Sequence, residues 1–188
     1  FAAHVTNRWL EDEIAMQMIK SKTDVLLSGG ANRFFPKGTQ LNLGDMQITS
    51  KRKDDLNPIE IARQNKYQII HKKEDLNLIN PDKVLGLFTS GSYPSSIYFH
   101  NNEKNEKRTI ASLLEMTKGA LNILGNKKNK KGFFLMVEAG QIDWAGHAND
   151  AGTMLHEMVT INDVLNYLIE YVQSNPDTLL VVTADHET

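Results

Sequence analysis

The side chains best suited to chemistry lie late in the chain, where carboxylates and imidazoles follow two short apolar runs, residues 133–137 and 181–183. Carboxylate oxygens and imidazole nitrogens are typical ligands of zinc, and carboxylates alone also suit magnesium. The pattern therefore predicts a metal site. Its candidate ligands are Glu138, Asp143, His147, Asp185 and His186.

The spacing of these side chains favours one shared site. On a helical turn, Asp143 and His147 lie on one face, as two ligands of one ion must. Two parallel strands that end just before Glu138 and Asp185, joined by a helix in a right-handed crossover, would finish at the same edge of a sheet. Taken alone, a pair such as Asp185-His186 is more typical of a polar surface or a helix cap, and spacing leaves that alternative open.

Helical and strand-like apolar patterns alternate along the chain and predict an α/β fold. Strands are expected at 24–27, 67–71, 84–88, 133–137 and 181–183, and helices at 1–20, 57–66, 110–124 and 153–173. The second helix starts with Asn57 as cap, Pro58 at the first helical position and Glu60 three residues after the cap. On the last helix, Leu155 and Met158 belong to an apolar face expected to point into the core.

Two stretches lack periodicity, 31–53 and 89–108, and are expected to be surface loops or insertions. In the first, residues 40–43 and 46–49 flank Gly44-Asp45 as in a small hairpin. In the second lies His100, which has no carboxylate close by in sequence and is more often solvated than a ligand in such a setting.

Length and composition indicate a single domain, or part of a larger one, and exclude several classes of function. The chain has 188 residues, 40% of them hydrophobic, so that 1–188 suits a single α/β domain. A formal net charge of -2 offers no electrostatic case for nucleic-acid binding, and zero cysteines exclude disulfides and thiolate ligands. No apolar run approaches the roughly 18 residues of a membrane span. Because the first residue is Phe1 rather than an initiator methionine, we expect a central portion of a longer protein, cut at both ends.

The motif Val137-Glu138-Ala139-Gly140-Gln141-Ile142-Asp143, followed by His147 and later by Thr183-Ala184-Asp185-His186, resembles the alkaline phosphatases. Two earlier segments, Ala3-His4-Val5-Thr6-Asn7-Arg8 and Asp24-Val25-Leu26-Leu27-Ser28-Gly29-Gly30, are also similar to that family. The resemblance implies a three-layer α/β sandwich with a largely parallel central sheet flanked by helices, present here as a partial domain.

The same resemblance implies hydrolysis of phosphate monoesters through a phosphoserine, with two zinc ions and one magnesium ion as cofactors. Asp143 and His147 would bind the first zinc. Asp185 and His186 would bind the second, and Glu138 would hold the magnesium.

Arg8 would bind two phosphate oxygens, because a guanidinium is a bidentate donor. From spacing alone, a surface pair with Asp12 is the alternative. Trp144 follows the zinc-ligand aspartate, as in a tryptophan-bearing bacterial branch, and could order a water or the shell of a metal. The family's serine nucleophile would lie before Phe1 and a further zinc-ligand histidine after Thr188, so the chain alone is expected to be inactive.

Two other functions remain open at this point. The first is a phosphodiesterase or mutase of the same metalloenzyme superfamily, and the second is a catalytically silent metal- or phosphate-binding module. The resemblance also implies small phosphomonoester substrates, a homodimer, and a periplasmic or secreted location.

Overall fold

The computed structural model describes residues 2–78, 82–126 and 131–188. Its helices and strands are, in chain order, α1 (Glu11–Lys20), β1 (Val25–Ser28), β2 (Gln40–Leu43), β3 (Met46–Thr49), α2 (Pro58–Gln64), β4 (Gln68–Ile70), α3 (Asp75–Leu78), β5 (Val84–Leu87), α4 (Ser96–Asn101), α5 (Leu113–Gly125), α6 (Gln141–His147) and α7 (Ala151–Ser174). Among the described residues, no helix combines the length and the apolar character needed to cross a membrane.

The described residues divide into two compact units. The first is drawn from Phe1–Tyr93, Thr109–Ala111 and Lys118–Leu135. The second is drawn from Pro94–Arg108, Ser112–Thr117 and Met136–Thr188.

A parallel sheet in the order β1-β5-β4 organises the first unit. The central strand β5 is buried along its whole length, as expected where both faces of a parallel sheet are covered. Gly86 in this strand permits close packing, because a Cβ there would lie 2.7 Å from Leu27 Cδ2. Ile19 of α1 and Ile59 of α2 share one core with Leu85 of β5. The sheet with flanking helices confirms the predicted α/β class.

Local sequence signals account for several elements of this unit. The side-chain oxygen of Asn57 accepts the backbone N–H of Glu60 at 3.2 Å and caps α2 as predicted. The strands β2 and β3 form the predicted antiparallel hairpin. Just after β1, only a glycine fits at position 29. A Cβ on Gly29 would overlap Thr89 Oγ1 and lie 2.5 Å from the carbonyl oxygen of Gly91.

The first helix is shorter than predicted. It begins at Glu11, and residues 2–10 form an irregular segment that ends in a turn. In that turn, Trp9 N–H donates to Asn7 Oδ1 at 3.0 Å, and Leu10 N–H donates to Asn7 O at 3.0 Å. Asparagine side chains compete with helical hydrogen bonds in this way. The acidic residues in the first turn of α1 favour the start of a helix there.

Neither apolar run before the predicted ligands is a strand in the structure. Residues 132–139 and 178–184 have no regular secondary structure, and they expose apolar side chains such as Phe134 (72%) and Leu179 (85%). A strand needs a neighbour that pairs with its backbone N–H and C=O groups. None of the strands in the described residues pairs with either run. The prediction of two buried strands at these positions was therefore wrong.

The second unit is helical, and α7 packs against α4 and α6 within it. The predicted inward face of α7 was wrong in its first half, since Leu155 and Met158 are exposed. Glu157 and Val164, two turns apart, are buried instead. The Glu157 carboxylate accepts the backbone N–H of Ser96 in α4 at 2.6 Å. This tertiary hydrogen bond fixes which side of α7 faces its neighbour.

Candidate functional site

The helix α6 holds the first predicted pair of ligands. Asp143 and His147 lie one turn apart on it, and His147 Nε2 is 3.4 Å from Asp143 Oδ1. Two ligands that each lie about 2.0–2.2 Å from one tetrahedral zinc are separated by about 3.4 Å. The donor types and their spacing therefore fit one zinc ion.

A bend at Asp185 brings the second predicted pair, Asp185 and His186, close to Asp143 within the second unit. His186 Nε2 is 3.5 Å from Asp185 Oδ2 and 3.9 Å from Asp143 Oδ1. The spacing of these residues in the sequence did not determine whether the second pair would meet the first. The structure brings Asp143, His147, Asp185 and His186 together, and we call these residues the Asp/His cluster.

A backbone hydrogen bond orients the ring of His186. Its Nδ1 lies 2.8 Å from the carbonyl oxygen of Glu187. Because a carbonyl oxygen only accepts, Nδ1 carries the proton in the neutral ring, and the lone pair is on Nε2, toward the two carboxylates. This backbone hydrogen bond, followed by the charges of Asp185 and Asp143, raises the pKa of His186 above its ordinary value.

The cluster is open rather than a closed cage. Within the described residues, no group of three or more histidine, aspartate or glutamate side chains is arranged so that it could hold a metal ion. The side chains of Asp185 and His147 are exposed. The cluster thus presents paired carboxylate and imidazole groups at a surface, and a metal ion there would need further ligands from elsewhere.

Glu138 and Trp144 lie beside the cluster in sequence but do not join it. Glu138 is exposed, just before α6, and its Oε1 would lie 3.1 Å from a Cβ placed on Gly140. Gly140 therefore lets the carboxylate fold back over the start of the helix. Trp144 is also exposed, next to Asp143 on α6.

Arg8, in the first unit, lies in the turn that precedes α1. Its guanidinium carbon is 5.9 Å from the centroid of the Trp9 ring, and no ion pair to it occurs in the part of the chain that the structure describes. The alternative pairing with Asp12 is absent, because Asp12 bonds to Arg33 and to the backbone N–H of Lys53. The guanidinium is left available for an anion.

Sequence reasoning missed Thr188. Its hydroxyl donates to Asp143 Oδ1 at 2.6 Å and lies 3.2 Å from His186 Nδ1. A hydroxyl residue two positions after His186 was the only signal, and nothing in the spacing links it to an aspartate 45 residues away.

The family model for alkaline phosphatase matches residues 2–188. The chain belongs to the alkaline phosphatase family. This confirms the resemblance inferred from the motifs around Asp143 and Asp185.

Individual relatives agree with this assignment. The chain is 31% identical to the repressible alkaline phosphatase of Saccharomyces cerevisiae, over 100% of the chain and 35% of that protein. A solved structure of a cold-active alkaline phosphatase from Shewanella sp. matches with a TM-score of 0.77 and 34% identity, covering 100% of this chain and 40% of the other. A mutant alkaline phosphatase from TAB5, solved with Mg bound in its M3 site, matches with a TM-score of 0.71 and 27% identity, over 93% of this chain and 44% of the other.

These structures confirm the predicted alkaline phosphatase-like α/β fold. The chain spans about a third of the length of the curated relatives that it matches.

Proposed function

We propose that the protein containing this chain hydrolyses phosphate monoesters through a phosphoserine, with two zinc ions and one magnesium ion. The observation that carries the proposal is the approach of His147 and His186 to one oxygen of Asp143, at 3.4 and 3.9 Å. Family membership supplies the reaction class, and the cluster supplies ligands of the appropriate kind.

In this proposal, the Asp/His cluster divides between two zinc ions. Asp143 and His147 would hold the first, and Asp185 and His186 the second. Bound zinc would lower the pKa of a hydroxyl and stabilise negative charge that develops on oxygen. Glu138 would hold magnesium. Magnesium as a cofactor is supported by the related mutant alkaline phosphatase from TAB5, which was solved with Mg bound in its M3 site.

Arg8 would bind the phosphoryl group. Its guanidinium can donate two parallel N–H groups to two nonbridging oxygens, which stabilises the charge that they carry in the transition state. A serine outside this chain would attack phosphorus while the bond to the ester oxygen breaks and the alcohol leaves. Water would then attack the phosphoserine and release inorganic phosphate. Trp144 would order a water next to Asp143.

The proposal extends to the setting of the enzyme. Small phosphomonoesters are the expected substrates, since the residues named here act on the phosphate rather than on the alcohol. A homodimer and a periplasmic or secreted location are supported by the relationship to bacterial alkaline phosphatases.

The full-length protein tests this function. Hydrolysis of p-nitrophenyl phosphate at alkaline pH should be lost on chelation and restored by zinc with magnesium. Asp143→Asn should reduce both the bound zinc, measured by mass spectrometry, and the activity. Asp163→Asn, at an exposed position of α7, is the matched control and should change neither.

Other outcomes would replace the proposal. Faster hydrolysis of bis(p-nitrophenyl) phosphate than of the monoester would indicate a phosphodiesterase. A folded, zinc-loaded protein with no activity on either ester would indicate a silent binding module. Full activity of Asp143→Asn with unchanged zinc content would remove the assigned role of the Asp/His cluster.

A further inference from the structure

A buried arginine ties the first turn of α1 to the segment that follows β3. Arg52 is almost completely buried, at 3% exposure. Its Nε and Nη2 donate to the two carboxylate oxygens of Asp54, at 2.7 and 2.8 Å. Its Nη1 donates to the backbone carbonyls of Asp12 and Arg33, at 3.1 and 3.0 Å. One guanidinium therefore joins α1, the turn at Ala31–Arg33 and the 50–54 segment.

A second arginine binds the acidic side chains of the same helical turn. Arg33 forms ion pairs with Glu11 and with Asp12, the latter at 3.1 Å, and donates to the carbonyl of Lys51 at 2.6 Å. The other oxygen of Asp12 accepts the backbone N–H of Lys53 at 3.0 Å. We call Arg33 and Arg52, with these contacts, the arginine clamp.

The clamped turn continues directly into the turn that carries Arg8. Ile14 N–H donates to Leu10 O at 2.9 Å, and Leu10 N–H donates to Asn7 O at 3.0 Å, so one chain of backbone hydrogen bonds joins α1 to the Arg8 turn. Within the described residues, the Arg8 guanidinium has no ion pair or hydrogen bond, and its carbon lies 5.9 Å from the centroid of the Trp9 ring. The direction in which the guanidinium points therefore depends on the backbone conformation of the turn that carries Arg8.

The clamp also removes competing anions. Glu11 and Asp12 are the carboxylates nearest to Arg8 in sequence, three and four residues further along the chain. Both are already bonded to Arg33. Without Arg33, Glu11 would lose this ion pair and Asp12 would keep only the hydrogen bond from the Lys53 N–H, so that both carboxylates could compete with an external anion for the Arg8 guanidinium.

We propose that Arg33 and Arg52 are positioning residues for Arg8: they hold its turn and keep Glu11 and Asp12 away from its guanidinium. The inference rests on the proposed role of Arg8 in phosphate binding. Neither arginine touches the substrate in this scheme, and both act through Arg8.

A double-mutant cycle on the full-length enzyme tests this role. Arg33→Met, Arg8→Ala and the double variant are compared by the inhibition constant of inorganic phosphate and by kcat and KM. Arg33→Met should weaken phosphate inhibition about tenfold when Arg8 is present, and less than twofold when Arg8 is alanine, because coupled residues are not additive. Arg63→Met removes an exposed arginine paired with Glu60 at 3.5 Å and is the matched control, with no expected effect.

Two further variants separate positioning from general stability. Removing the freed carboxylates in the triple variant Arg33→Met, Glu11→Gln, Asp12→Asn should recover part of the lost phosphate affinity. A merely structural role would predict no recovery. Arg52→Met serves as an independent variant. If it does not fold, Arg33→Met keeps the test intact, because its side chain is at the partly exposed edge of the clamp.

The possible failures are distinguishable. If Arg33→Met weakens phosphate inhibition equally with arginine and with alanine at position 8, the positioning role is overturned. The proposed function is unaffected by that result. If Arg8→Ala alone leaves phosphate inhibition unchanged, Arg8 does not bind phosphate, and both the inference and its part of the proposed function fall.

Discussion

The hydroxyl of Thr188 donates a 2.6 Å hydrogen bond to Asp143 Oδ1, across 45 residues of sequence. Its oxygen is also 3.2 Å from His186 Nδ1, where it can accept the ring N–H. Gly146 leaves room for this contact, because a Cβ there would lie 3.2 Å from Thr188 Cβ. One hydroxyl thus links a proposed ligand of the first zinc to a proposed ligand of the second.

Thr188→Val should weaken zinc binding by the full-length protein about 10–100-fold, the usual effect of losing a partner that orients a metal ligand. The substitution keeps the shape and removes the donor to Asp143. Zinc affinity can be measured by competition with a chromogenic chelator. Thr188→Ser retains the hydroxyl and should bind zinc nearly as the parent does. An unchanged zinc affinity in Thr188→Val would show that the hydrogen bond does not support the site.

Acid should weaken the second unit through Glu115. Burial acts to raise the pKa of this carboxyl, but hydrogen bonds from Arg108 and from the backbone N–H of Ser112, with the charge of Arg108, lower it from 4.5 to about 2. Because the folded pKa is below the unfolded one, the stabilisation is complete above about pH 4.5 and is lost as pH falls toward 2.

Glu115→Gln should therefore destabilise the protein at pH 7 by roughly 1–2 kcal/mol, a value reduced for the partial exposure of the carboxylate, and by less at pH 3. Urea unfolding at the two pH values measures the difference. Glu103→Gln, at an exposed position of the same unit, should have almost no effect at either pH. A penalty for Glu115→Gln that is equal at both pH values would contradict the assignment of the lowered pKa.

The cap of α2 offers a test of a local sequence signal. Asn57→Ala removes the oxygen that accepts the Glu60 N–H and should cost about 1 kcal/mol of unfolding free energy. Asn57→Asp retains an acceptor and should keep most of the stability. Thermal or urea unfolding measures both variants. Equal losses in the two would mean that the side-chain oxygen is not what stabilises the helix start.

The packing around β5 predicts that Gly86→Ala destabilises the first unit. The added Cβ would lie 2.7 Å from Leu27 Cδ2 and 2.9 Å from the ring of Phe88, inside van der Waals contact on two sides. Overpacking of this kind typically costs about 1–3 kcal/mol. Gly152→Ala in the first turn of α7 is the control: its nearest neighbour would be at 3.4 Å, and alanine favours a helix. Comparable stability of the two variants would contradict this account.

Several features could be predicted from the sequence because they depend on neighbours along the chain. The Asn57 cap, the hairpin of β2 and β3, and the shared helical face of Asp143 and His147 all involve residues within a few positions of one another. Their geometry follows from the periods of helices and strands and from turn chemistry.

Other features depended on contacts between distant segments. An apolar run such as 133–137 becomes a strand only when another strand pairs with it. The side of α7 that faces inward was fixed by the hydrogen bond from the Ser96 N–H to the Glu157 carboxylate. The sequence by itself determined the α/β class and the carboxylate and imidazole groups of the Asp/His cluster. Only the tertiary structure decided that His186 meets Asp143, that Thr188 links them, and that Arg33 rather than Arg8 pairs with Asp12. The physical reason is that side chains many residues apart meet only through the packing of the whole chain, which local spacing does not encode.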